Sequence, residues 1–374
     1  MRRPPLRRAL AGVGALVLVA AGVFVLSRPD GGGDATAADR GRALFVQEFT
    51  PAQGLGPLFN ERACAGCHLE PRLGGVGRRG LATVLRVGQL AGRRFDAMIG
   101  RGGPFARTHS VSELGTSCTV APGIPAGANV TSVRNAPALF GSGLIEAISD
   151  RQILAGAVAR GGGVHGRANL VQGADGRVRV GRFGWKADTP TLAQFVAEAF
   201  RNEMGVTNPA APAFDDAGAA SPGGACGSQS RAADVGREAV TAVAGFVASL
   251  PAPAQVPADH AGEEVFRQTG CQACHVTSLR TRTRAVPLYS DLLLHDMGPL
   301  LDDRVDQSTA TGREWRTAPL WGVSRRTRFL HDGRATSLRA AILAHGGEAR
   351  RARQRFRALS DADRSRLVAF LESL

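Results

Sequence analysis

Two short stretches decide the fold, Cys64-Ala-Gly-Cys-His68 and Cys271-Gln-Ala-Cys-His275. In a C-x-x-C-H motif, two thiols three positions apart can reach both vinyl groups of one porphyrin, and the histidine that follows lies under the iron as its proximal ligand. The chain has six cysteines and eight histidines in 374 residues, so two such motifs are not expected by chance. The sequence therefore predicts two covalently attached c-type haems, with His68 and His275 as proximal ligands of the iron.

A C-x-x-C pair can also belong to a structural zinc site or to a redox-active dithiol. Structural zinc sites combine two such pairs about 15–20 residues apart. Here the two pairs lie in opposite halves of the chain, and each has its own histidine. A redox dithiol does not need that histidine in both places, so the pattern disfavours both alternatives.

Short motifs recur in the same order around the two haem motifs, which indicates a degenerate internal duplication. The recurring pairs are Gly41–Phe45 with Gly262–Phe266, Arg134–Leu139 with Arg316–Leu320, and Phe246–Leu250 with Phe370–Leu374. The spacing between them is not constant, so the pattern indicates two domains and not a solenoid. We predict haem domains over residues 38–250 and 258–374, joined by the stiff, proline-rich linker 251–257.

The predicted fold class is mainly α, with two cytochrome c-like helical domains and long loops. The first domain is the larger one because it carries insertions, one of which spans roughly residues 155–235. Within that insertion, Asn169–Val180 is predicted to form a small β-hairpin with Asp175-Gly176 at the turn. The glycine- and alanine-rich stretch 210–228 is predicted to be an exposed loop.

Residues 1–37 are predicted to be a signal peptide or membrane anchor with a spacer. Four arginines precede an uncharged apolar run over residues 9–26, which is typical of export signals and signal anchors. The small-residue site Ala35-Thr36-Ala37 lies far downstream of the run, so cleavage and membrane anchoring both remain open. We expect the protein in the periplasm or on the outer face of the cytoplasmic membrane.

Two cysteines, Cys118 and Cys226, lie outside the haem motifs in loop-like sequence. An exported protein meets oxidising conditions, in which disulfides form and persist. A disulfide between Cys118 and Cys226 is therefore predicted to staple the insertions of the first domain. Separate free thiols are the alternative.

The formal net charge of +14 comes almost entirely from arginine, and Lys186 is the only lysine. A strongly basic chain suggests nucleic-acid binding. The arginines, however, are scattered and are not interleaved with aromatic residues, so we predict no nucleic-acid partner. Arginine also suits haem propionates, since these carboxylates can accept its paired hydrogen bonds.

The sixth ligand of each iron decides what a haem does. A strong ligand such as methionine gives an electron-transfer haem, whereas an open position permits peroxide or oxygen chemistry. For the haem at His275, Met297 is the first candidate for the distal ligand, and His295, His331 and His345 are alternatives. A buried methionine that only packs in the core is the other interpretation of Met297.

The haem at His68 has no convincing distal ligand in its own part of the sequence. Only Met98 and His109 are available there, and neither has a persuasive context. An open distal side would need a group that moves a proton between the two peroxide oxygens, and Glu146 is a candidate acid/base for this step. The alternative places Glu146 on the surface of a helix.

From about residue 38 onward the chain resembles the bacterial di-haem oxidoreductases described as peroxidases or thiol oxidoreductases. The stretches that carry the resemblance are Phe49–Pro57, Arg134–Pro137, Gly181–Ala187, Tyr289–Gly298, Glu314–Gly322 and Leu330–Gly333. That family is similar to the di-haem cytochrome c peroxidases, which include the methylamine-dehydrogenase maturation enzyme. The resemblance implies two cytochrome c-like helical domains, one haem that relays electrons and one that reacts with peroxide.

The chain departs from this pattern at Leu330, where many such peroxidases have a methionine just before His-Asp-Gly. The departure leaves Met297 or a histidine as the distal ligand. The thiol oxidoreductase description has no support in the residues, because every cysteine is in a haem motif or predicted to be paired. The scarce aromatic residues of the family motifs are expected to pack against porphyrin faces more than to form an electron path; they are Trp185, Tyr289, Trp315 and Trp321.

These observations predict an exported di-haem c-type cytochrome with peroxidase-like activity. Hydrogen peroxide, or another small oxidant, would be reduced at one haem, and electrons would arrive through the other from a small periplasmic carrier of the cytochrome c or cupredoxin type. One alternative is a non-catalytic electron-transfer cytochrome in which both irons have six ligands. Another is a haem enzyme that oxidises a protein or an organic substrate.

Overall fold

The computed structural model describes residues 36–77, 82–158, 161, 163–209, 233–256 and 260–374, and residues 35–374 form one compact unit. The predicted signal or anchor segment, the predicted loop 210–228 and Cys226 lie outside the described residues. The boundaries of the two haem domains stay predictions. In the part of the chain that is described, no helix is both long enough and apolar enough to cross a bilayer.

The helices begin at residues whose side chains suit that position. Thr36, Ser149, Thr191, Ser337 and Ser360 each accept a hydrogen bond from a backbone N–H of the first turn, which stabilises the helix start. The helices are α1 (Ala37–Val46), α2 (Cys64–Cys67), α3 (Ser142–Glu146), α4 (Asp150–Gly156), α5 (Leu192–Met204), α6 (Arg237–Ser249), α7 (His260–Thr269), α8 (Leu338–Ala344), α9 (Arg350–Ala358) and α10 (Asp361–Ser373).

The prediction of a mainly α fold is wrong, because 36% of the structure is helix and 17% is strand, arranged in several small antiparallel sheets. The strands are β1 (Leu58–Phe59), β2 (Thr83–Ala91), β3 (Arg94–Asp96), β4 (Phe105–Ala106), β5 (His109–Ser110), β6 (Val130–Asn135), β7 (Leu170–Gln172), β8 (Val178–Val180), β9 (Leu279–Arg280), β10 (Ala285–Val286), β11 (Leu294–Asp296) and β12 (Glu314–Arg316).

The largest sheet has the order β3-β2-β4, with β6 also paired to β2. The sequence of β2 carries the signals of a strand, since β-branched residues recur in it and Gly92 makes the turn into β3 with a φ of 61°. Burial of Val87 and Val130 on this sheet stabilises it. The expected fold, two cytochrome c-like helical domains with long loops, included no sheet in this region. The hairpin predicted at Asn169–Val180 is present as β7 and β8.

Two helix crossings position the haem motifs, α1 across α6 and α7 across α10. A Cβ on Gly41 would lie 1.9 Å from the Ala242 carbonyl oxygen, and one on Gly262 would lie 2.5 Å from that of Arg366. Only glycine allows these backbones to approach so closely. Beside each glycine a phenylalanine pair packs ring to ring, Phe45 with Phe246 at 5.1 Å and Phe266 with Phe370 at 5.3 Å. The anchors that recur in the sequence therefore occupy equivalent places at the two crossings.

Candidate haem centres

The two motif histidines are held in the same way. Nδ1 of His68 lies 3.1 Å from the carbonyl oxygen of Gly75, and Nδ1 of His275 lies 2.9 Å from that of Tyr289. A carbonyl oxygen only accepts hydrogen bonds, so Nδ1 carries the proton in both rings and Nε2 keeps its lone pair. Burial lowers the pKa of His68 and lowers that of His275 to about 4, which keeps both imidazoles neutral. A neutral imidazole with a fixed tautomer is suited to bind a metal.

A loop with unusual backbone geometry presents the carbonyl that holds His275. Tyr289 and Leu292 have φ values of 51° and 59°, in the left-handed region that non-glycine residues seldom adopt. The Tyr289 ring packs between Phe266 and Phe370, and the backbone N–H of Asp291 donates to the Cys274 carbonyl. The loop is thus fixed to both the helix crossing and the haem motif.

The four motif cysteines are free thiols that lie partly buried in the structure. Burial raises the pKa of Cys64, Cys67 and Cys271 to about 12. Such thiols have little thiolate character near neutral pH and are poor redox-active nucleophiles. The other described cysteine, Cys118, is disulfide-bonded. Because Cys226 lies outside the described residues, the pairing of these two cysteines stays a prediction.

A cavity of about 660 Å³ lies against the second motif and reaches towards the first. Both Ala-Pro repeats line it, through Asn135–Ala138 and Arg316–Ala318. Val76 also lines it, next to the Gly75 carbonyl that holds His68. Most of the remaining wall is apolar, as expected for a site that binds a flat hydrophobic cofactor.

All four distal-ligand candidates line this cavity, namely Met297, His295, His331 and His345. His345 has the same arrangement as the motif histidines, since its Nδ1 lies 2.7 Å from the Ala341 carbonyl oxygen at the end of α8. Its Nε2 therefore keeps a lone pair. His345 and His275 are near enough for a charge on His345 to lower the pKa of His275.

His295 is engaged differently, because carboxylates lie against both of its ring nitrogens. Nε2 is 3.1 Å from Asp291 Oδ2 and Nδ1 is 2.8 Å from Glu348 Oε2. Burial would lower the pKa of His295, but hydrogen bonds to Asp291, Cys274 and Glu348 raise it to about 12. A protonated imidazole has no lone pair for a metal.

His331 is stacked on Trp315, with ring centroids 3.7 Å apart and planes 8° from parallel. The same indole lies 4.0 Å from the Lys186 ammonium and 4.6 Å from the Arg134 guanidinium. Both cations are paired with the buried carboxylate of Asp303. This stack holds His331 in the cavity wall.

Arg316 and Arg326 are among several arginines of the cavity wall that form no ion pair with a carboxylate of the described residues. Arg316 and Arg326 donate only to carbonyl oxygens, those of Gly184, Thr317 and Pro319. Burial lowers the pKa of each guanidinium to about 10, and the charge on Arg326 adds to the shift of Arg316. Buried cations are normally paired, so this pair matches the two propionates of a haem. The motif, the neutral histidines and these arginines together fit haem.

The residues available around His68 are committed to other partners. His109 is exposed, forms an ion pair with Glu113 and stacks on Phe59. Met98 is fully buried, and its methyl group lies 4.0 Å from the point that a Cβ on Gly127 would occupy. Neither side chain is placed as a ligand by these contacts.

Glu146 is the last residue of α3, and its side chain reaches the start of α5, where Oε1 accepts a hydrogen bond from the backbone N–H of Leu192 at 2.7 Å. A carboxyl that the sequence did not single out lies closer to a haem motif. Glu203 Oε2 accepts a hydrogen bond from Asn60 Nδ2 at 2.8 Å, and its charge raises the pKa of Cys67. Burial raises the pKa of Glu203 itself. No sequence motif marks it, because it lies at the end of an ordinary amphipathic helix.

A family model matches part of the chain, which includes one of the two haem motifs. Residues 128–374 match the family described as "Di-haem oxidoreductase, putative peroxidase". This range contains Cys271–His275 and leaves out Cys64–His68. No curated protein matches the chain.

Among solved structures, a hydrazine synthase from Kuenenia stuttgartiensis is 14% identical with a TM-score of 0.40, covering 99% of this chain and 100% of that one. The diheme peroxidase BthA from Burkholderia thailandensis is 20% identical with a TM-score of 0.45, covering 91% of this chain and 86% of that one. The family match spans more than half of the chain. The chain therefore belongs to the di-haem oxidoreductase family and is an oxidoreductase with haem as its cofactor.

Proposed function

We propose that the chain is an exported c-type cytochrome peroxidase with two covalently attached haems, one that receives electrons and one that reacts with hydrogen peroxide. The observation that carries the proposal is the matched geometry of the two motif histidines, each with Nδ1 on a backbone carbonyl. The thiols of Cys64 and Cys67 would form the thioethers of the first haem, and those of Cys271 and Cys274 the thioethers of the second.

The two haems are not equivalent in this proposal. His345 would hold the haem at His275 together with that histidine, because its ring shares the cavity and keeps Nε2 free. Two strong ligands suit electron transfer. The haem at His68 would have a single protein ligand and react with peroxide, which is supported by the hydrogen bond of His109 to Glu113 and by the burial of Met98 elsewhere.

Bound haem supplies the redox-active iron and the binding position for peroxide. Reduction of hydrogen peroxide to two water molecules consumes two electrons and two protons, so a proton carrier is needed beside the reacting haem. Glu203 is our candidate for this role, since it lies near Cys67 and burial raises its pKa, which favours the protonated carboxyl that a proton donor needs. Arg316 and Arg326 would bind the propionates of the haem at His275.

Export and a small periplasmic electron carrier, of the cytochrome c or cupredoxin type, are further parts of the proposal. The disulfide at Cys118 supports export, because disulfides persist in oxidising compartments. The basic and apolar pattern of residues 1–37 supports it from the sequence, with residues 9–26 available as a membrane anchor.

The test is steady-state consumption of hydrogen peroxide by the holoprotein, with a reduced cytochrome c or cupredoxin as donor. We expect two donor molecules to be oxidised for each peroxide consumed. His68→Ala, made in the background of an intact second motif, should abolish turnover. The matched variant Arg282→Gln changes an exposed loop and should leave turnover unchanged. Absence of peroxide consumption by protein with a full complement of two haems would overturn the proposal.

A further inference from the structure

Helix α9 carries five arginines and no acidic residue: Arg350, Arg351, Arg353, Arg355 and Arg357. Elsewhere in the structure arginines commonly pair with carboxylates, as Arg62 does with Glu48 and Arg167 with Glu314. Within the described residues, none of the five on α9 forms an ion pair. Like charges four positions apart on a helix repel each other. The helix thus keeps a concentrated positive charge that its own fold does not neutralise.

Part of this charge surrounds a second cavity, of about 500 Å³. Its wall is formed by Arg339, Arg353, Arg357 and Arg364 around an apolar floor of Leu343 and Phe356. No carboxylate of the described chain lines it. The Nε atoms of Arg353 and Arg364 are buried without a hydrogen-bond partner, although Arg364 is ion-paired with Asp361 through Nη1. A buried donor without a partner needs an explanation, and an anion bound beside Arg353 would supply one.

The basic cavity adjoins the haem cavity, because Arg353 lines both. Arg351 and Arg355 follow one side of α9 along the haem cavity, while Arg357 faces the other cavity. Phe356, on the buried side of α9, belongs to the same hydrophobic core cluster as Phe370 and anchors the helix to the core. A partner bound at the basic cavity would be separated from the haem at His275 by a single helix.

We propose that Arg339, Arg350, Arg353 and Arg357, here called the arginine face, form the docking surface for a small acidic redox protein that reduces the haem at His275. This inference rests on the proposed function, which requires such a donor. Surface carboxylates of the partner would pair with the guanidinium groups, and its apolar contact surface would meet the half-buried Leu343. In each encounter one electron passes from the reduced partner to the oxidised haem, and no bond or proton is transferred.

The positive charge of the arginine face determines the chemistry of its partner. Complementary charge steers diffusional encounter and raises association rates by roughly 10- to 1000-fold at low ionic strength. Adjacency to the haem cavity favours a redox protein over an anionic membrane surface, since lipid binding would gain nothing from that position. Free anions and lipid are distinguished by the experiment.

The experiment compares two triple variants of the holoprotein that change the same number of charges. Arg339→Glu/Arg350→Glu/Arg357→Glu reverses exposed members of the arginine face that do not line the haem cavity. The control, Arg280→Glu/Arg282→Glu/Arg284→Glu, reverses exposed arginines around the β9–β10 turn. Reduced plastocyanin, an acidic cupredoxin, is the redox probe, and hydroquinone is the uncharged reductant. Haem reduction is followed by stopped-flow absorbance without peroxide, and binding of oxidised plastocyanin is followed by surface plasmon resonance.

We expect the arginine-face variant to lose at least about tenfold in both the rate of reduction by plastocyanin and the association rate at low salt. High salt should remove the difference. The control variant should lose less than about threefold, and hydroquinone should reduce all three proteins equally. Equal losses in the two variants, or loss of binding only to phosphate or to anionic vesicles, would overturn the inference. Because no peroxide is present, failure of the peroxidase proposal would appear separately, as normal docking without turnover.

Discussion

Asp303→Asn is expected to destabilise the protein strongly, because Asp303 is the carboxylate that two buried cations share. Its side chain is 4% exposed and pairs with Arg134 through Oδ2 and with Lys186 through Oδ1, the latter at 3.3 Å. Lys186 is fully buried and also donates to three carbonyl oxygens, those of Thr311, Gly312 and Glu314. The substitution keeps the shape of the side chain and removes only its charge. It leaves two cations over the same indole ring of Trp315 without the carboxylate with which both are paired.

The magnitude follows from which charges remain. Removing one partner of a buried ion pair costs about 3–5 kcal/mol, since the other charge stays buried and uncompensated. Asp303→Asn leaves two such charges, so we expect a loss in the free energy of unfolding at the upper end, about 5 kcal/mol. Lys186→Met is the matched control, because it leaves Arg134 and Asp303 as a balanced pair. Its cost, from carbonyls that lose a donor, should be about 2 kcal/mol.

Urea denaturation of the two holoproteins, followed by circular dichroism at equal haem content, measures both costs as shifts of the midpoint. The decisive result is which of the two variants loses more free energy of unfolding. If Asp303→Asn were no more destabilising than Lys186→Met, the shared-carboxylate account of this site would be refuted. A shift below about 1 kcal/mol for Asp303→Asn would refute it as well, as this is the size of an ordinary surface effect.

Three further perturbations test other parts of the structure. Gly262→Ala should lower the free energy of unfolding by roughly 1–3 kcal/mol, since its Cβ would overlap α10. The control Gly245→Ala has open space at its Cβ and should not destabilise the protein. Equal urea midpoints for the two variants would contradict the close crossing of α7 and α10. Glu203→Gln should lower peroxide turnover by at least about 100-fold. Glu146→Gln should keep turnover and lower the free energy of unfolding by about 0.5–2 kcal/mol, because the start of α5 loses a capping hydrogen bond. Similar turnover in the two variants would remove Glu203 from the mechanism. Burial raises the pKa of Glu198 from 4.5 to about 7, so its ionisation opposes folding. The free energy of unfolding should therefore fall by on the order of 1–3 kcal/mol as the pH rises between these two values. Glu198→Gln should flatten that fall, and an unchanged pH profile in this variant would contradict the assignment to Glu198.

The haem motifs and the helix crossings could be predicted because their signals are local. Each C-x-x-C-H motif is five residues long, and Gly41 and Gly262 stand at equal places in a repeated pattern that any helix pair with close backbone contact would require. The hairpin at Asn169–Val180 was predictable for the same reason, since alternation and turn residues fall within one short segment.

The carbonyls that fix the histidines could not be predicted, because they depend on loops that fold back from elsewhere. Gly75 and Tyr289 contribute only backbone carbonyl oxygens, which every residue type has, so the sequence does not reveal them. The four distal candidates could be named from the sequence, with Met297 first, but the contacts that distinguish them could not. Their ranking depends on long-range partners, such as Glu348 beside His295 and the Ala341 carbonyl beside His345.

The strand content was missed for a different reason. The interpretation as a cytochrome c-like fold was carried by the haem motifs and imposed a helical expectation on residues between them. The β-branched residues of β2 and the glycine turn that follows it pointed to a strand, and the pairing of β2 with β6, across more than forty residues, completed the sheet. Glu203 was missed because a carboxylate on an amphipathic helix is ordinary until the fold brings Cys67 beside it.

The central claim is that the two haems have different axial ligation, and electron paramagnetic resonance of the fully oxidised holoprotein tests it most directly. The account predicts one low-spin and one high-spin ferric haem in equal amounts. His345→Ala should convert the low-spin signal to high spin, and Met297→Ala should leave it unchanged. Two low-spin signals in the wild-type protein, or loss of the low-spin signal in Met297→Ala but not in His345→Ala, would contradict the account.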